Sequence, residues 1–109
     1  EVAGRYSVVC ARPLTGRFHQ LRRHCKHLSL PVIGDTTYGK GEHNRIWRAR
    51  YGLNRLALHA WSVEASLFGV THEWFAPLPD DLRRPLLAAG FRGDYLNATA
   101  FSAALPSLT

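Results

Sequence analysis

The stretch Thr15-Gly16-Arg17-Phe18-His19-Gln20-Leu21-Arg22-Arg23-His24 holds the densest pattern in the chain. Pro13 and Gly16 bracket a turn. Beyond it Phe18, Leu21, Cys25 and Leu28 recur three and four residues apart, which predicts a helix over 18–29 with one apolar face. On a wheel of about 100° per residue, Arg22 lies about 40° from Phe18, at the edge of that face, while Arg23, Lys26 and His27 point further out. Arg22 is therefore the inward-leaning arginine. A guanidinium so placed requires an anionic partner, because an unpaired buried charge is costly. Gly16, the free N–H groups of the helix start and Arg17 together suit a phosphate. The same residues also describe an ordinary turn leading into a solvated helix. His19, His24, Cys25 and His27 are close in sequence, but His19 and His24 lie about 140° apart on the wheel. No HExxH is present and no second ligand cluster follows, so no metal site is expected.

Upstream of this stretch, Gly4 to Arg12 carries apolar or small residues on both faces and predicts a buried strand. Downstream, Val32 and Ile33 predict a short strand that runs into a loop rich in glycine. Glu42 to Tyr51 predicts a basic helix anchored by Ile46 and Trp47 and stopped by Gly52. Leu56 to Phe68 and Val70 to Phe75 predict a hairpin about Gly69. Pro79, Asp80 and Asp81 suit a helix start, with Leu82, Leu86 and Leu87 on its apolar side, Pro85 inside and Gly90 as its stop. Residues 91–109 are mostly small and polar, and their pattern assigns them no role.

The chain has 109 residues, of which 46% are hydrophobic and 20% charged, so one domain or part of one is expected. The absence of methionine and the strand-like opening after Glu1 suggest a piece of a longer protein. No apolar run approaches the roughly 20 residues of a membrane span, and residues 1–5 have neither signal nor transit character. The cytoplasm is the expected compartment, with no membrane partner. Cys10 and Cys25 are too few for a disulfide scaffold and read as reduced thiols packed as small hydrophobes. The formal net charge is +6, and eleven of the fourteen Lys and Arg residues lie within residues 1–60, opposed there by Glu1, Asp35 and Glu42 alone. Such asymmetry fits a face that meets a polyanion, and equally a solvated basic surface.

Four blocks in order sharpen this reading: Thr15-Gly16-Arg17-x-His19-Gln20-Leu21-Arg22-x-His24, Pro31 to Gly39, Arg55-Leu56-x-Leu58-His59-Ala60 and Ala76-Pro77-Leu78-Pro79. Over residues 5–90 the chain closely resembles the C-terminal part of RluA-family RNA pseudouridine synthases. His43-Asn44-Arg45 is most similar to the TruC branch, which modifies tRNA. The resemblance implies an α+β fold, a partial mixed, largely antiparallel sheet with flanking helices beside an RNA cleft. It also implies isomerisation of uridine to pseudouridine, in which uracil is detached, rotated and rejoined through carbon 5, without cofactor or metal.

In that family the catalytic aspartate sits in an upstream Arg-Leu-Asp block, and a tyrosine that packs on the target base also lies upstream; neither is in this chain. Asp35 corresponds to a structural aspartate, Asp80 and Asp81 to helix-start residues, and Tyr38 does not replace the pocket tyrosine. The resemblance makes Arg22 the partner of the missing aspartate and Leu21 a wall of the base pocket. Arg17, His19, Gln20, Arg23, Lys26, Arg45 and Arg48 are the RNA-binding candidates. Two departures stand out. The family hairpin carries a His-Pro-x-Thr-Gly turn where this chain has Leu67-Phe68-Gly69, so His72 is not that motif's histidine, and residues 91–109 form a tail without counterpart beyond the catalytic portion at 1–90. The expected activity is that of a tRNA pseudouridine synthase fragment, inactive alone. A non-catalytic RNA-binding module and a pseudoenzyme or truncated product are the alternatives.

Overall fold

Trp47, Leu53, Leu82, Phe91 and Leu96 form the buried core in the computed structural model, which describes residues 1–14 and 16–97. The elements in chain order are β1 (Val2–Ala3), β2 (Tyr6–Ser7), α1 (Gln20–His27), α2 (Gly41–Tyr51), β3 (Ser62–Leu67), β4 (Val70–Phe75), α3 (Asp80–Ala88) and a 3₁₀ turn at Asp94–Leu96. The architecture is α+β, with β1–β2 and β3–β4 as separate antiparallel pairs.

Helix α2 carries Glu42 in its first turn and Arg48 and Arg50 in its last, each opposing the nearer end of the helix dipole. Gly52 ends it in the left-handed region at φ 75°, and Leu53 then donates its N–H to the Trp47 carbonyl at 3.2 Å. That exit places Leu53 in the core beside the Trp47 ring. Helix α3 starts from extended Pro79 with Asp80 and Asp81 in its first turn, and it runs through Pro85. Proline here removes one helical donor, yet its ring is buried, as is Leu82 on the same helix. Tyr6 of β2 meets Trp47 edge-on, with ring centroids 5.2 Å apart, and so brings the N-terminal hairpin onto α2.

Strands β3 and β4 pair from Ser62 opposite Phe75 to Leu67 opposite Val70. Phe68 (φ 52°) and Gly69 (φ 77°) supply the two left-handed residues of the tight turn. At its base, Ala76 N–H donates to Trp61 O at 2.8 Å. Val63, Leu67, Val70, Trp74 and Phe75 remain exposed along this hairpin.

Several expectations are corrected. The strand predicted over Gly4 to Arg12 is a small hairpin instead: Gly4 turns the chain at φ 60°, Ala3 pairs with Tyr6, and residues 8–14 have no regular structure. Those residues have no neighbouring strand among the described residues, and apolar pattern alone cannot supply one. Cys10 is exposed rather than packed, whereas Cys25 is partly buried; both are free thiols. The helix predicted from Phe18 starts at Gln20, because His19 takes the left-handed conformation at φ 51° and turns Phe18 off the helix. Leu28, at the other end of the predicted stripe, is also exposed. Val32 and Ile33 form a turn, not a strand, although Ile33 O accepts Ala57 N–H at 2.8 Å. The hairpin begins at Ser62, so 56–61 lies outside it.

Residues 91–97, which the sequence leaves without a role, complete the core. Phe91 is 1% exposed and Leu96 is buried. Glu1 fastens this segment: its carboxylate accepts Arg92 N–H at 2.8 Å, Gly93 N–H at 2.7 Å and the Tyr95 hydroxyl at 2.6 Å. These bonds hold the Glu1 carboxyl below its usual range, and burial together with Glu1 pushes the Tyr95 phenol up. Residues 98–109 of the predicted tail lie outside the described residues, as does Thr15 of the first motif.

Candidate functional site

Gly34 begins the site. At φ 82° it occupies the left-handed region, and a Cβ there would lie 2.0 Å from the Arg55 carbonyl oxygen, so glycine is required twice over. The turn it makes buries Asp35, which is 1% exposed. Asp35 Oδ1 accepts the N–H groups of Thr37 at 3.0 Å and Tyr38 at 2.9 Å, the hydrogen bonding of an Asx turn. Arg22, on the inward face of α1, closes on the same carboxylate: Nε donates to Oδ2 and Nη2 to Oδ1, each at 2.8 Å. The planar fork matches the carboxylate edge, giving a charge-assisted bidentate pair.

These interactions hold the Asp35 carboxyl far below the usual carboxylate range, with the Arg22 hydrogen bond as the largest cause, opposed by burial. The Arg22 guanidinium is correspondingly pushed up, chiefly by its hydrogen bond to Asp35. Asn44 of α2 locks the turn from the other side, accepting Gly34 N–H at 2.8 Å and donating to Asp35 O at 3.0 Å. The anion that the helix wheel demands for Arg22 is thus present within this chain. Sequence reading missed the pair, although Gly34-Asp35-Thr36-Thr37 is a recognisable Asx-turn pattern; what it lacks is any sign that the turn faces α1.

Around the pair lies an aromatic group. The Arg22 guanidinium sits over the Tyr38 ring at 5.3 Å, and the Tyr38 hydroxyl is 3.3 Å from His19 Nδ1. His19 in turn stacks with Phe18, centroids 3.7 Å apart and planes at 25°. Arg17, Arg23 and Lys26 are exposed around α1, and Arg45 and Arg48 are exposed on α2. His19, Gln20 and Leu21 are partly buried. His43 hydrogen-bonds Tyr6 through Nδ1 at 3.0 Å. Two surface depressions lie away from Leu21, one lined by Tyr51, Gly52 and Asp80, the other by Leu78, Arg83 and Leu96. Among the described residues no three His, Cys, Asp or Glu side chains gather as metal ligands, and no helix is long and apolar enough to cross a membrane.

No family model matches the chain. Over 56 residues, 51% of the chain, it is 54% identical to tRNA pseudouridine synthase C of Vibrio cholerae and 57% identical to that of Haemophilus ducreyi. Over 60 residues it is 47% identical to tRNA pseudouridine synthase C of Salmonella typhi. About half of this chain is similar to proteins named tRNA pseudouridine synthase C. The chain spans about a quarter of the length of these relatives, 23% of each. That likeness accords with the family resemblance read from the sequence.

Proposed function

We propose that this chain is the C-terminal portion of a cytoplasmic tRNA pseudouridine synthase, carrying the basic half of a site whose nucleophilic aspartate belongs to an upstream segment of the parent protein. The reading rests on the identity, up to 57% over half the chain, to proteins named tRNA pseudouridine synthase C. Arg22 uses Nε and Nη2 for Asp35. Its Nη1 makes no hydrogen bond among the described residues and is the edge offered to the upstream carboxylate. Asp35 then positions the guanidinium, and the arginine favours the ionised form of the nucleophile. Leu21 walls the base pocket once the upstream part is present. Arg17, Arg23, Lys26, Arg45 and Arg48 contact phosphates, and His19 and Gln20 line the RNA path.

Without a nucleophile the covalent step has no starting point, so the 109-residue chain is inactive alone. Incubated with unmodified tRNA, it is expected to leave every uridine unchanged by mass-sensitive chemical labelling, whereas the parent containing an Arg-Leu-Asp block converts one. Conversion by the isolated chain would overturn the first half of this reading, and failure of the parent the second. The charge asymmetry supports one rival equally well, a non-catalytic RNA-binding module, for which the parent would bind tRNA without isomerising it. Both readings require affinity for tRNA that falls with salt, with a log–log slope of about −0.7 per single-stranded phosphate contact.

A further inference from the structure

We infer that Phe18 is a stacking platform for an unpaired RNA base next to the segment that the basic face grips. This goes beyond the proposed function in naming a recognition residue at the position the ordered motif leaves open, and it rests on that reading for the presence of RNA. An apolar side chain at the start of an amphipathic helix ordinarily turns into the core. Phe18 does the opposite and is 75% exposed. The cause is local: His19 is left-handed, so the chain turns before Gln20 and swings Phe18 outward.

The exposed ring is also supported from behind. It stacks on His19 at 3.7 Å, His19 is tied to the Tyr38 hydroxyl at 3.3 Å, and Tyr38 lies beneath Arg22, which the buried Asp35 fixes. A flat aromatic face so preorganised loses little freedom on binding a second flat ring. Arg17, its neighbour in sequence, and Arg23, whose N–H donates to the His19 carbonyl at 2.9 Å, are both exposed and put positive charge on the same segment. An aromatic face on a segment that carries cations is complementary to a nucleobase on a chain of phosphates, and stacking of this kind accepts any base. A duplex cannot use it, because its bases are already stacked on one another.

The test uses the 109-residue chain and a single-stranded oligoribonucleotide containing 2-aminopurine, with a fully paired duplex of equal length as comparison. Phe18→Ala is expected to weaken single-strand binding about tenfold and to abolish the quenching of 2-aminopurine that accompanies binding. Its affinity for the duplex should be unchanged. Phe18→Trp and Phe18→Tyr should retain affinity within about threefold, since each keeps a flat ring. Arg23→Ala should weaken single strand and duplex alike and lower the salt slope. If the wild-type chain binds RNA with a salt slope but Phe18→Ala binds and quenches like wild type, the platform is wrong and the RNA face stands. Should Phe18→Ala leave RNA binding intact and abolish self-association, the ring is a protein contact and the inference is overturned. No salt-dependent RNA binding by the wild-type chain would overturn the RNA face and the platform together.

Discussion

Asp35 accepts hydrogen bonds from two guanidinium nitrogens and two backbone amides while lying almost wholly out of solvent. Removing Arg22 would leave that carboxylate buried and unpaired, so Arg22→Ala is expected to destabilise the chain and lower its midpoint in urea unfolding by more than any exposed Arg→Ala change such as Arg23→Ala. Arg22→Lys should recover part of this, because an ammonium supplies charge without the fork. Under the proposed function, turnover of the full-length Arg22→Ala protein is therefore to be measured well below its melting temperature, where a direct role in the site would survive as a lower kcat of folded protein. The Asp35 carboxyl also fixes a pH dependence. Its folded value lies below that of the unfolded chain, near ~3.9, so the folded state releases the proton more readily in acid. The stabilisation is complete above the unfolded value and fades as pH falls below it toward the lower folded value. Melting temperatures of wild type and Asp35→Asn should accordingly converge between about pH 5 and pH 2. Parallel curves would show that Asp35 does not carry the acid sensitivity.

Helices α2 and α3 and the β3–β4 hairpin were legible because each is announced by a residue whose backbone preference acts locally: Gly52 past the end of α2, Pro79 with Asp80 and Asp81 before α3, and Gly69 in the hairpin turn. The N-terminal strand was not legible, since a strand is decided by what pairs with it, and Gly4 turns the chain before any run can form. The start of α1 was misread for a different reason. Apolar spacing cannot register a left-handed His19, which tertiary bonding through Tyr38 supports. The candidate site was half legible: the wheel marks Arg22 as needing an anion, but the meeting of α1 with the Asp35 turn is a tertiary fact. The hairpin offers its own test. Phe68 is fully exposed yet left-handed at φ 52°, a conformation that suits asparagine far better than phenylalanine. Phe68→Asn should stabilise the chain by about 0.5–1 kcal/mol and raise its melting temperature by a few degrees. A lower melting temperature would mean that Phe68 makes contacts in solution that the isolated fold does not show.

At the scale of the molecule, Val63, Leu67, Val70, Trp74 and Phe75 of β3–β4, together with Val9 and Leu14, stand exposed to solvent, and apolar side chains gathered on one hairpin favour contact with another copy. Self-association that grows with concentration is expected in sedimentation velocity, and a strict monomer at high concentration would contradict it. The Glu1 clasp joins the two ends of the described fold. In Glu1→Ala the Arg92 and Gly93 amides lose their acceptor, so their hydrogen exchange should accelerate while that of the α2 amides stays near wild type. Equal acceleration throughout would mean the clasp governs global rather than local opening. The bracket around Asp35 has a consequence in time. Its bonds span 13 residues to Arg22 and 9 to Asn44, whereas Glu1 must wait for Tyr95, 94 residues away. Short loops close at lower entropic cost, so a nascent chain leaving the ribosome can assemble the Arg22–Asp35–Asn44 bracket while the core-closing segment is still unsynthesised.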